Sequence, residues 1–487
     1  MSFFYVLLVI FCALIAVYYY LTWPYNYWKK QGLKSAESAV PGFGNILSML
    51  CFRENLNMIC KRLYKCSDSS MFGMFLLRTP VLLVRDPELI HTIIVKKFSN
   101  FCNNVTHLDE HRDWFLSKNP FFAVDDTWRE SRRRLLSGMS LKKLKIMFET
   151  MRRVSANFDE YLDRLGRAEV ELRDLCFRFT GEIVCSAGFG IEHEESFVEI
   201  AEKLFEPNWT NGIRQTLNFF VRGLAKTFHV SFAPNEVQEY FADLAKNVSK
   251  SRRKEKGKLH EDFLHMAMDE AIDVDESFVL SILSSFFVDA FETVASIASF
   301  ALFRLSQHTE VQEKLRKEIR DTLDRHEGYV SYDALKEMAY LEQVIKESMR
   351  LNPILEVFAK VCNEKTTLIG ADGLKCTLRP GNLVIIPTQS LHTDEKYWDN
   401  PFMFNPERFN HDTRTEITQF TYLPFGRGPR MCPGLRLGYI EVKILMVTIL
   451  RKCRVMLSPK TTIPLVMDPR SFLPVVQGGL WARLEPI

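Results

Sequence analysis

The chain has 487 residues, enough for several ordinary domains or for one large catalytic domain. Apolar residues make up 47% and charged residues 25% of it, which indicates a globular protein and excludes a disordered one. The formal net charge of +3 is too small to indicate a nucleic-acid partner, and we expect none. The 11 cysteines have no paired spacing, which argues against a disulfide framework.

Residues 3–21 are uncharged and almost wholly apolar, and as a helix they are long enough to span a bilayer. A signal peptide is the alternative, but no basic residue precedes this segment and no small-residue cleavage site follows it. Lys29, Lys30 and Lys34 follow the segment, so the positive-inside rule places the rest of the chain in the cytosol. We therefore predict a transmembrane anchor over residues 1–25, a linker or hinge over 26–45, and one large domain over 46–487.

Two short strands, residues 72–78 and 81–84, are predicted around a turn at Thr79-Pro80, and the pattern from about 87 to 350 is mostly helical. In that region Trp128 and Arg132 stand four residues apart on one helix face, where they can donate two hydrogen bonds to one anion. The alternative is a core tryptophan beside a solvated arginine. Basic residues crowd the same region and predict at least a solvated face: Arg129, Arg133, Arg134, Lys142, Lys143 and Lys145.

Residues 277–305 predict one long helix, without proline or glycine. Ser285, Asp289 and Thr293 recur every four residues and therefore share one face of it. The hydroxyls of Ser285 and Thr293 either bond back to the carbonyl four residues earlier or take part in a proton relay. Burial would raise the pKa of the Asp289 carboxyl. That carboxyl then has three interpretations: an extra relay group, a site for a basic substrate, or a side chain that narrows a pocket.

Two charged residues, Glu347 and Arg350, form an acid–base pair three residues apart on a predicted helix, and Arg408 follows in a proline-rich stretch. Alone, such a pair contributes only about 0.2–0.5 kcal/mol when it is exposed. Between these segments lie Lys360 and His392, the second of a residue type that binds metals. Residues 382–386 and 479–486 each predict a strand.

Cys432 lies near the end of a glycine-rich, basic loop over residues 425–434, and an apolar helical pattern follows the loop. The glycines allow sharp turns and a close backbone approach, while Arg427 and Arg430 are expected to favour a thiolate. A lone cysteine near a helix start is more often a small buried apolar residue. With no second Cys or His at metal-ligand spacing, a thiolate here suits one axial bond to a haem iron better than a tetrahedral zinc site.

The loop from Phe425 through Gly428, Arg430 and Cys432 to Gly434 resembles the haem-thiolate loop of the cytochrome P450 superfamily, F-x-x-G-x-R-x-C-x-G, without a mismatch. Further segments resemble the W-x-x-x-R, E-x-x-R, P-E-R-F and L-H-x-D motifs of that superfamily. The overall pattern is most similar to its microsomal, membrane-anchored, insect-type branch, which handles lipophilic foreign compounds. The resemblance implies a mainly-α fold with a long central helix over the haem and small β-rich regions near both termini.

The resemblance also implies roles for particular residues. Cys432 would be the proximal ligand of the iron of haem b. Glu292 and Thr293, with Asp289, would manage protons and water on the distal side, although Asp289 replaces a small apolar residue of the family pattern and Ala290 a glycine. Glu347, Arg350 and Arg408 would form a buried structural triad. The cofactor would be held by Cys432, Trp128, Arg132, Lys360, His392, Phe425, Arg430 and Gly434.

Residues 46–487 would then be a haem-thiolate monooxygenase domain that inserts one oxygen atom of O2 into a lipophilic small molecule. No nicotinamide or flavin motif is visible, so electrons from NADPH would arrive through a separate membrane-bound reductase, with cytochrome b5 as a second donor. An acidic donor would dock on the basic residues listed above. The expected location is the endoplasmic reticulum membrane. Two alternatives are a haem-thiolate isomerase or dehydratase of peroxides and a haem-binding protein that sequesters ligands.

Overall fold

The computed structural model describes residues 2–37, 39–191, 195–254, 261–268, 276–410 and 419–487. The mainly-α fold predicted from the sequence is confirmed. The α-helices of the described residues are α1 (Ser2–Thr22), α2 (Leu47–Leu50), α3 (Leu56–Tyr64), α4 (Pro87–His91), α5 (Asp125–Ser137), α6 (Leu141–Leu165), α7 (Leu172–Ile183), α8 (Glu195–Phe205), α9 (Trp209–Phe220), α10 (Arg222–Thr227), α11 (Asn235–Lys254), α12 (Phe263–Met268), α13 (Glu276–Ser285), α14 (Glu292–Gln307), α15 (Thr309–Arg325), α16 (Tyr332–Glu337), α17 (Ala339–Leu351), α18 (Thr388–His392) and α19 (Leu435–Lys452).

The strands form three small sheets in the described part of the chain. A four-stranded sheet has the order β1-β2-β7-β4, with β2 and β7 parallel and the other neighbours antiparallel. A three-stranded sheet has the order β3-β9-β8, and β5 pairs with β6. The strands are β1 (Met71–Leu76), β2 (Thr79–Val84), β3 (Ala168–Glu171), β4 (Phe358–Val361), β5 (Thr366–Ile369), β6 (Lys375–Leu378), β7 (Leu383–Ile386), β8 (Cys453–Leu457) and β9 (Trp481–Pro486).

The hairpin near the N-terminus is where predicted, but its turn is not. Thr79 and Pro80 belong to β2, where they pair with Leu76 and Phe75. The turn lies at residues 77 and 78 because Leu77 adopts a left-handed backbone conformation, with φ of 54°. The two strands therefore meet across a tight connection, and β2 continues the four-stranded sheet.

The N-terminal helix stands apart from the body of the protein. Its continuous helical segment, Phe3–Gln31, is long and apolar enough to cross a membrane, and the most apolar 18-residue window of it is not buried. A second helix that meets the same length and composition test, Val279–Gln307, is mostly buried in the protein interior. Its apolar character is therefore that of a core helix.

The segment predicted as a hinge, residues 26–45, is packed on the four-stranded sheet. Trp28 is fully buried and its indole N–H donates to the Met74 carbonyl at 3.0 Å. A Cβ at Gly73 would lie 2.4 Å from the Trp28 ring, so the glycine makes room for the indole. Ser35 also bridges to Gly73. The linker or hinge over residues 26–45 stays a prediction, and the Trp28 side chain anchors its first part to the body.

The central helix runs from α13 through a π-helical turn, Phe286–Phe291, into α14. The long helix predicted over 277–305 is present, but the π turn interrupts its regular spacing. Because a π turn holds more residues than an α turn, positions four apart no longer lie directly above one another. Helix α14 is buried on nearly every side and packs against α7, α17 and α19. It therefore forms one wall of the large helical core.

Candidate active site

A cavity of about 340 Å³ lies between the central helix and the cysteine loop. Asp289 and Thr293 line it from the helix, and Cys432 and Gly434 line it from the loop. The remaining lining is mainly apolar and aromatic, including side chains of α8, α9 and residues 120–122. The sequence elements predicted to act together thus face each other across one enclosed space.

The cysteine loop is held by its own backbone. The Cys432 N–H donates to the Phe425 carbonyl at 2.9 Å, and the Met431 N–H donates to the Gly428 carbonyl at 3.0 Å. Gly428 has a φ of 76°, and a Cβ there would lie 2.3 Å from the Ile94 carbonyl oxygen. The loop needs glycine at that position for both reasons. It ends at Gly434, and α19 begins with the next residue.

The protein surroundings of Cys432 favour the neutral thiol over the thiolate. Burial raises its pKa to about 12 and Asp289 adds to the rise, whereas the Gly434 N–H and Arg132 lower it. Arg132 is the arginine that lowers this pKa, and the effect expected of Arg427 and Arg430 stays a prediction. The Arg430 guanidinium donates to backbone carbonyls and stacks on Trp128. A bound metal ion is the interaction that deprotonates such a thiol outright.

Three cations line the cavity without a carboxylate partner among the described residues: Arg132, Lys360 and Arg430. Lys360 is buried and donates to Asn104 Oδ1 at 2.7 Å, and burial next to Arg430 lowers its pKa to about 7. Burial lowers the pKa of Arg430 to about 10, and its Nε has no hydrogen-bond partner. Asp125 is a nearby opposite charge for Arg430, but no ion pair joins these three cations to a carboxylate in the described part of the chain. Concentrating charge of one sign in a cavity is costly, so this cluster predicts an anionic ligand.

The distal side chains have specific partners. The Thr293 hydroxyl donates to the Asp289 backbone carbonyl, the back-bonded alternative considered from the sequence. One Asp289 carboxylate oxygen accepts from Asn119 Nδ2 at 3.1 Å, and burial raises the pKa of this acid to about 7. Ser285 bonds back to the Ser281 carbonyl at 2.8 Å. The three residues therefore do not form a direct hydroxyl–carboxyl chain.

Glu292 forms a buried ion pair that the sequence did not predict. Its carboxylate accepts from Arg173 at 2.9 Å and from the Ser296 hydroxyl at 3.0 Å. Glu292 lines the main cavity, while Arg173 and Ser296 line a second cavity of about 200 Å³. Burial raises the pKa of Glu292, and Arg173 opposes that rise. This carboxylate thus lies between the two cavities.

Comparison with known proteins identifies the architecture. The sequence profile described as Cytochrome P450 matches residues 35–479. The chain belongs to the cytochrome P450 family. Similar proteins include Cytochrome P450 6j1 of Blattella germanica, 29% identical over 96% of this chain and 95% of that protein. Cytochrome P450 9e2 of the same species is 31% identical over 98% of this chain and 96% of that protein.

A third similar protein is Probable cytochrome P450 28d1 of Drosophila melanogaster, 29% identical over 98% of this chain and 97% of that protein. The predicted superfamily and its insect branch are confirmed. The chain is a P450 monooxygenase that uses haem b and O2 and takes electrons from NADPH through a reductase. These relatives do not favour the peroxide isomerase or the ligand-sequestering protein.

The P450 cavity fits haem b on independent observations. The cations Arg132, Lys360 and Arg430 match the two carboxylates of that cofactor. A Cβ at Gly434 or Gly438 would meet no protein atom within 4 Å, so both glycines leave open space beside the loop. Among the residues that the structure describes, no cluster of three or more His, Cys, Asp or Glu could hold a metal, which agrees with ligation by a single thiolate.

His392, expected to hold the cofactor, does not line this P450 cavity. Its Nε2 accepts from the Leu423 N–H at 2.8 Å, and its Nδ1 lies 3.2 Å from the Arg350 carbonyl. Burial lowers the pKa of His392 to about 3, so the ring is neutral. The cofactor prediction is wrong because both ring nitrogens are already bound to backbone. The residue joins α17 to the start of the cysteine loop.

The predicted triad residues lie together under the loop. Arg350 donates to Glu347 at 2.7 and 2.8 Å, and Arg408 Nε lies 3.4 Å from the same carboxylate. Arg350 also donates to the carbonyls of His392 and Pro401, each at 2.7 Å. Glu347 and Arg350 are completely buried. Such a network fixes geometry more than it adds net stability.

Sequence reasoning missed four polar residues of the site. Arg173 and Asn119 bind the distal acids, and neither stands in a recognisable motif. Glu356 and Glu441 also line the cavity. Glu441 is buried with no hydrogen-bond partner on either oxygen, and burial raises its pKa to about 8. The signal in the sequence is that Glu441 is a lone acid within an apolar helical pattern.

Proposed function

We propose that Cys432 is the iron ligand of this monooxygenase and that Trp128, Arg132, Lys360 and Arg430 hold the haem carboxylates. The observation that carries this assignment is the juxtaposition, in one cavity, of the Cys432 thiol and of cations that form no ion pair with a described carboxylate. Phe425 and Gly434 shape the loop around the sulfur, with the Phe425 ring 5.3 Å from Tyr439. When bound, haem with a thiolate ligand supplies oxygen activation.

Protons reach the distal side, in this proposal, through Glu292 and Thr293. Glu292 lines the main cavity, and its partners Arg173 and Ser296 line the second cavity together with further polar groups, including Asp174 and Ser299. Water in the second cavity would exchange protons with the Glu292 carboxylate beside Arg173. The Thr293 hydroxyl would then orient a water or a substrate oxygen in the main cavity. The Asp289 carboxylate accepts from Asn119, whereas the Thr293 hydroxyl bonds to the Asp289 backbone carbonyl and Glu292 bonds to Arg173, so we assign the Asp289 side chain no relay step.

The substrate is a lipophilic small molecule, as the family implies. The aromatic lining from Phe121, Phe219 and Phe472 supports an apolar body with few polar groups. We further propose that the compound is foreign to the organism, a hormone or a fatty-acid-like molecule. Enclosure by the apolar lining excludes water around the reacting carbon.

The proposed electron donor is a membrane-bound NADPH-dependent reductase, with cytochrome b5 as an additional donor. The basic region of α5 and α6 is weaker as a docking surface than the sequence indicates. Arg129 pairs with Asp126, and Arg133 and Arg134 pair with Glu130. These internal ion pairs leave less free positive charge for an acidic partner.

The proposed location is the endoplasmic reticulum membrane, with α1 as the anchor and residues 46–487 as the catalytic domain in the cytosol. The exposed apolar α1 and the three lysines that follow it support this topology. Protease treatment of sealed microsomes should digest the catalytic domain. Protection of the whole domain would contradict the orientation.

The function is tested by reconstitution with a P450 reductase. Purified full-length protein should convert a lipophilic test compound to a product carrying one oxygen from labelled O2, and only with NADPH. Cys432→Ala should abolish this conversion, whereas Cys453→Ala, a buried cysteine of β8 away from the cavity lining, should retain it. Product formation without NADPH or without labelled oxygen would contradict a monooxygenase.

A further inference from the structure

Four acidic residues line the cavity in the described part of the chain. Asp289 is the one whose side chain is accessible from the cavity and pairs with no described cation. Glu292 is paired with Arg173. Glu356 is buried and faces Lys61, which lowers its pKa against the effect of burial. Glu441 has no partner, but both of its oxygens are shielded from the cavity by protein atoms. Asp289 is partly accessible, and it lies in the cavity lining.

Asn119 fixes how the Asp289 carboxylate is presented. The Asn119 Oδ1 accepts from the Phe121 N–H at 2.7 Å, so its amide nitrogen must point the other way. That nitrogen donates to the Ser284 carbonyl at 3.3 Å and to Asp289 Oδ2 at 3.1 Å. Asn119 itself is fully buried. One carboxylate oxygen is therefore held by a rigid donor, and Oδ1 has no donor from the described protein.

The free oxygen faces an apolar space in which a bare carboxylate is costly. Burial accordingly raises the pKa of Asp289 to about 7. Arg132, Lys360 and Arg430 belong to the cluster assigned above to the haem carboxylates, and Arg470, the fourth cation of the described lining, pairs with Asp468. The ring of Phe121, next to Asn119, also lines the cavity, and aromatic faces attract ammonium groups. A cationic ligand would offset the cost of the carboxylate.

We propose that Asp289, presented by Asn119, binds the protonated nitrogen of lipophilic amines and makes such amines a preferred substrate class. The assignment rests on the proposed function, because it requires the substrate to occupy this cavity. It is favoured over an extra relay group because the Thr293 hydroxyl bonds to the Asp289 backbone carbonyl and leaves the carboxylate free. It is favoured over simple narrowing of the pocket because an apolar side chain would narrow it without burying a charge.

The test compares two probes of the same shape on the full-length, haem-loaded protein. One is 4-phenylbutyl-trimethylammonium, and the other replaces the charged group by tert-butyl. The quaternary nitrogen has no lone pair and cannot ligate iron, so its binding reports on the acid. Dissociation constants are measured by equilibrium dialysis, which does not depend on the haem spectrum or on turnover.

The wild-type protein should bind the cationic probe more tightly than its neutral isostere. Asp289→Asn should weaken binding of the cation by about tenfold or more, as expected for loss of one close charge pair, and leave the isostere within about twofold. Glu356→Gln is the matched control, because it removes the same charge from the same cavity at a buried acid that already has Lys61 and Asn57 as neighbours. It should keep the preference for the cation.

Equal binding of both probes by the wild-type protein would overturn the proposal, and this comparison does not depend on any variant folding. A cation preference that survives in Asp289→Asn would overturn it as well, since the site would then lie elsewhere. The reduced, carbon monoxide-bound spectrum of each sample separates the two hypotheses. A missing thiolate band contradicts the proposed function, whereas a normal band without cation preference overturns only the amine site.

Discussion

The loop wall of the cavity, residues 425–434, and the helix wall opposite, residues 285–293, are held by different kinds of contact. Backbone hydrogen bonds hold the loop, such as the one from the Cys432 N–H to the Phe425 carbonyl. Side chains from distant segments hold the polar groups of the helix, with Asn119 on Asp289 and Arg173 on Glu292. In the function proposed here, the loop sets the reaction class, and the helix wall sets proton delivery and substrate choice.

The largest loss of stability should follow removal of Arg350 from the buried ion pair with Glu347. In Arg350→Ala, the buried Glu347 carboxylate would lose its closest cation and keep Arg408 at 3.4 Å, and we expect a loss of about 3–5 kcal/mol in the free energy of unfolding. Denaturant unfolding with a matched haem content measures it. An unchanged midpoint would show that the network does not support the loop.

Changes in the helix wall should affect turnover more than stability. Thr293→Ala and Glu292→Gln each remove one group proposed to handle protons, so we expect product formation to fall by up to about 10²-fold. NADPH consumption should fall less, with the difference released as hydrogen peroxide. Ser285→Ala is the control, because this hydroxyl only bonds back to Ser281. Equal coupling in Thr293→Ala, Glu292→Gln and the control would remove the proton-handling role.

The pH dependence of stability tests His392, the buried residue that joins α17 to the start of the cysteine loop. His392 is neutral in the folded protein, with its pKa lowered to about 3, whereas an unfolded histidine has its ordinary value of 6.5. Below pH 6.5 the unfolded chain binds this proton and the folded protein does not, so stability falls as pH drops towards 3. The free energy of unfolding should fall by about 1.4 kcal/mol more per pH unit in wild type than in His392→Gln between pH 6 and 5. Parallel pH profiles would contradict the buried neutral ring.

The smallest effect should come from the exposed basic face. Arg133 pairs with Glu130 three residues away, and both side chains are exposed to solvent. Arg133→Ala should change the free energy of unfolding by less than about 1 kcal/mol. The apparent KM for the reductase should change little, because Glu130 already offsets this charge. A large rise in that KM at low salt would restore this face as the docking surface.

The sequence predicted best what depends on local spacing. Glu347 and Arg350 meet because they lie three residues apart on one helix, and the cysteine loop closes on its own backbone. The strand pair near residue 80 and the C-terminal strand were likewise predictable from turn residues and apolar alternation. The two-residue shift of the turn depends on the left-handed conformation of Leu77, which no pattern indicates.

The contacts of the helix wall could not be predicted, because their partners are far apart in the sequence. Asn119 and Asp289 are 170 residues apart, and Arg173 and Glu292 are 119 apart. Only the packed fold brings them together. The π turn changes the regular spacing between Ser285 and Asp289, yet both residues and Thr293 line the same cavity, as predicted. His392 was misassigned because its two backbone partners come from separate segments.

The central claim is that Cys432 binds the haem iron as a thiolate on the rigid loop wall. The most direct measurement is the reduced, carbon monoxide-bound absorption spectrum of the purified protein. We predict a strongly red-shifted Soret band in wild type, retained in Thr293→Ala and absent in Cys432→Ala. A wild-type protein that carries haem but lacks this shifted band would contradict the account.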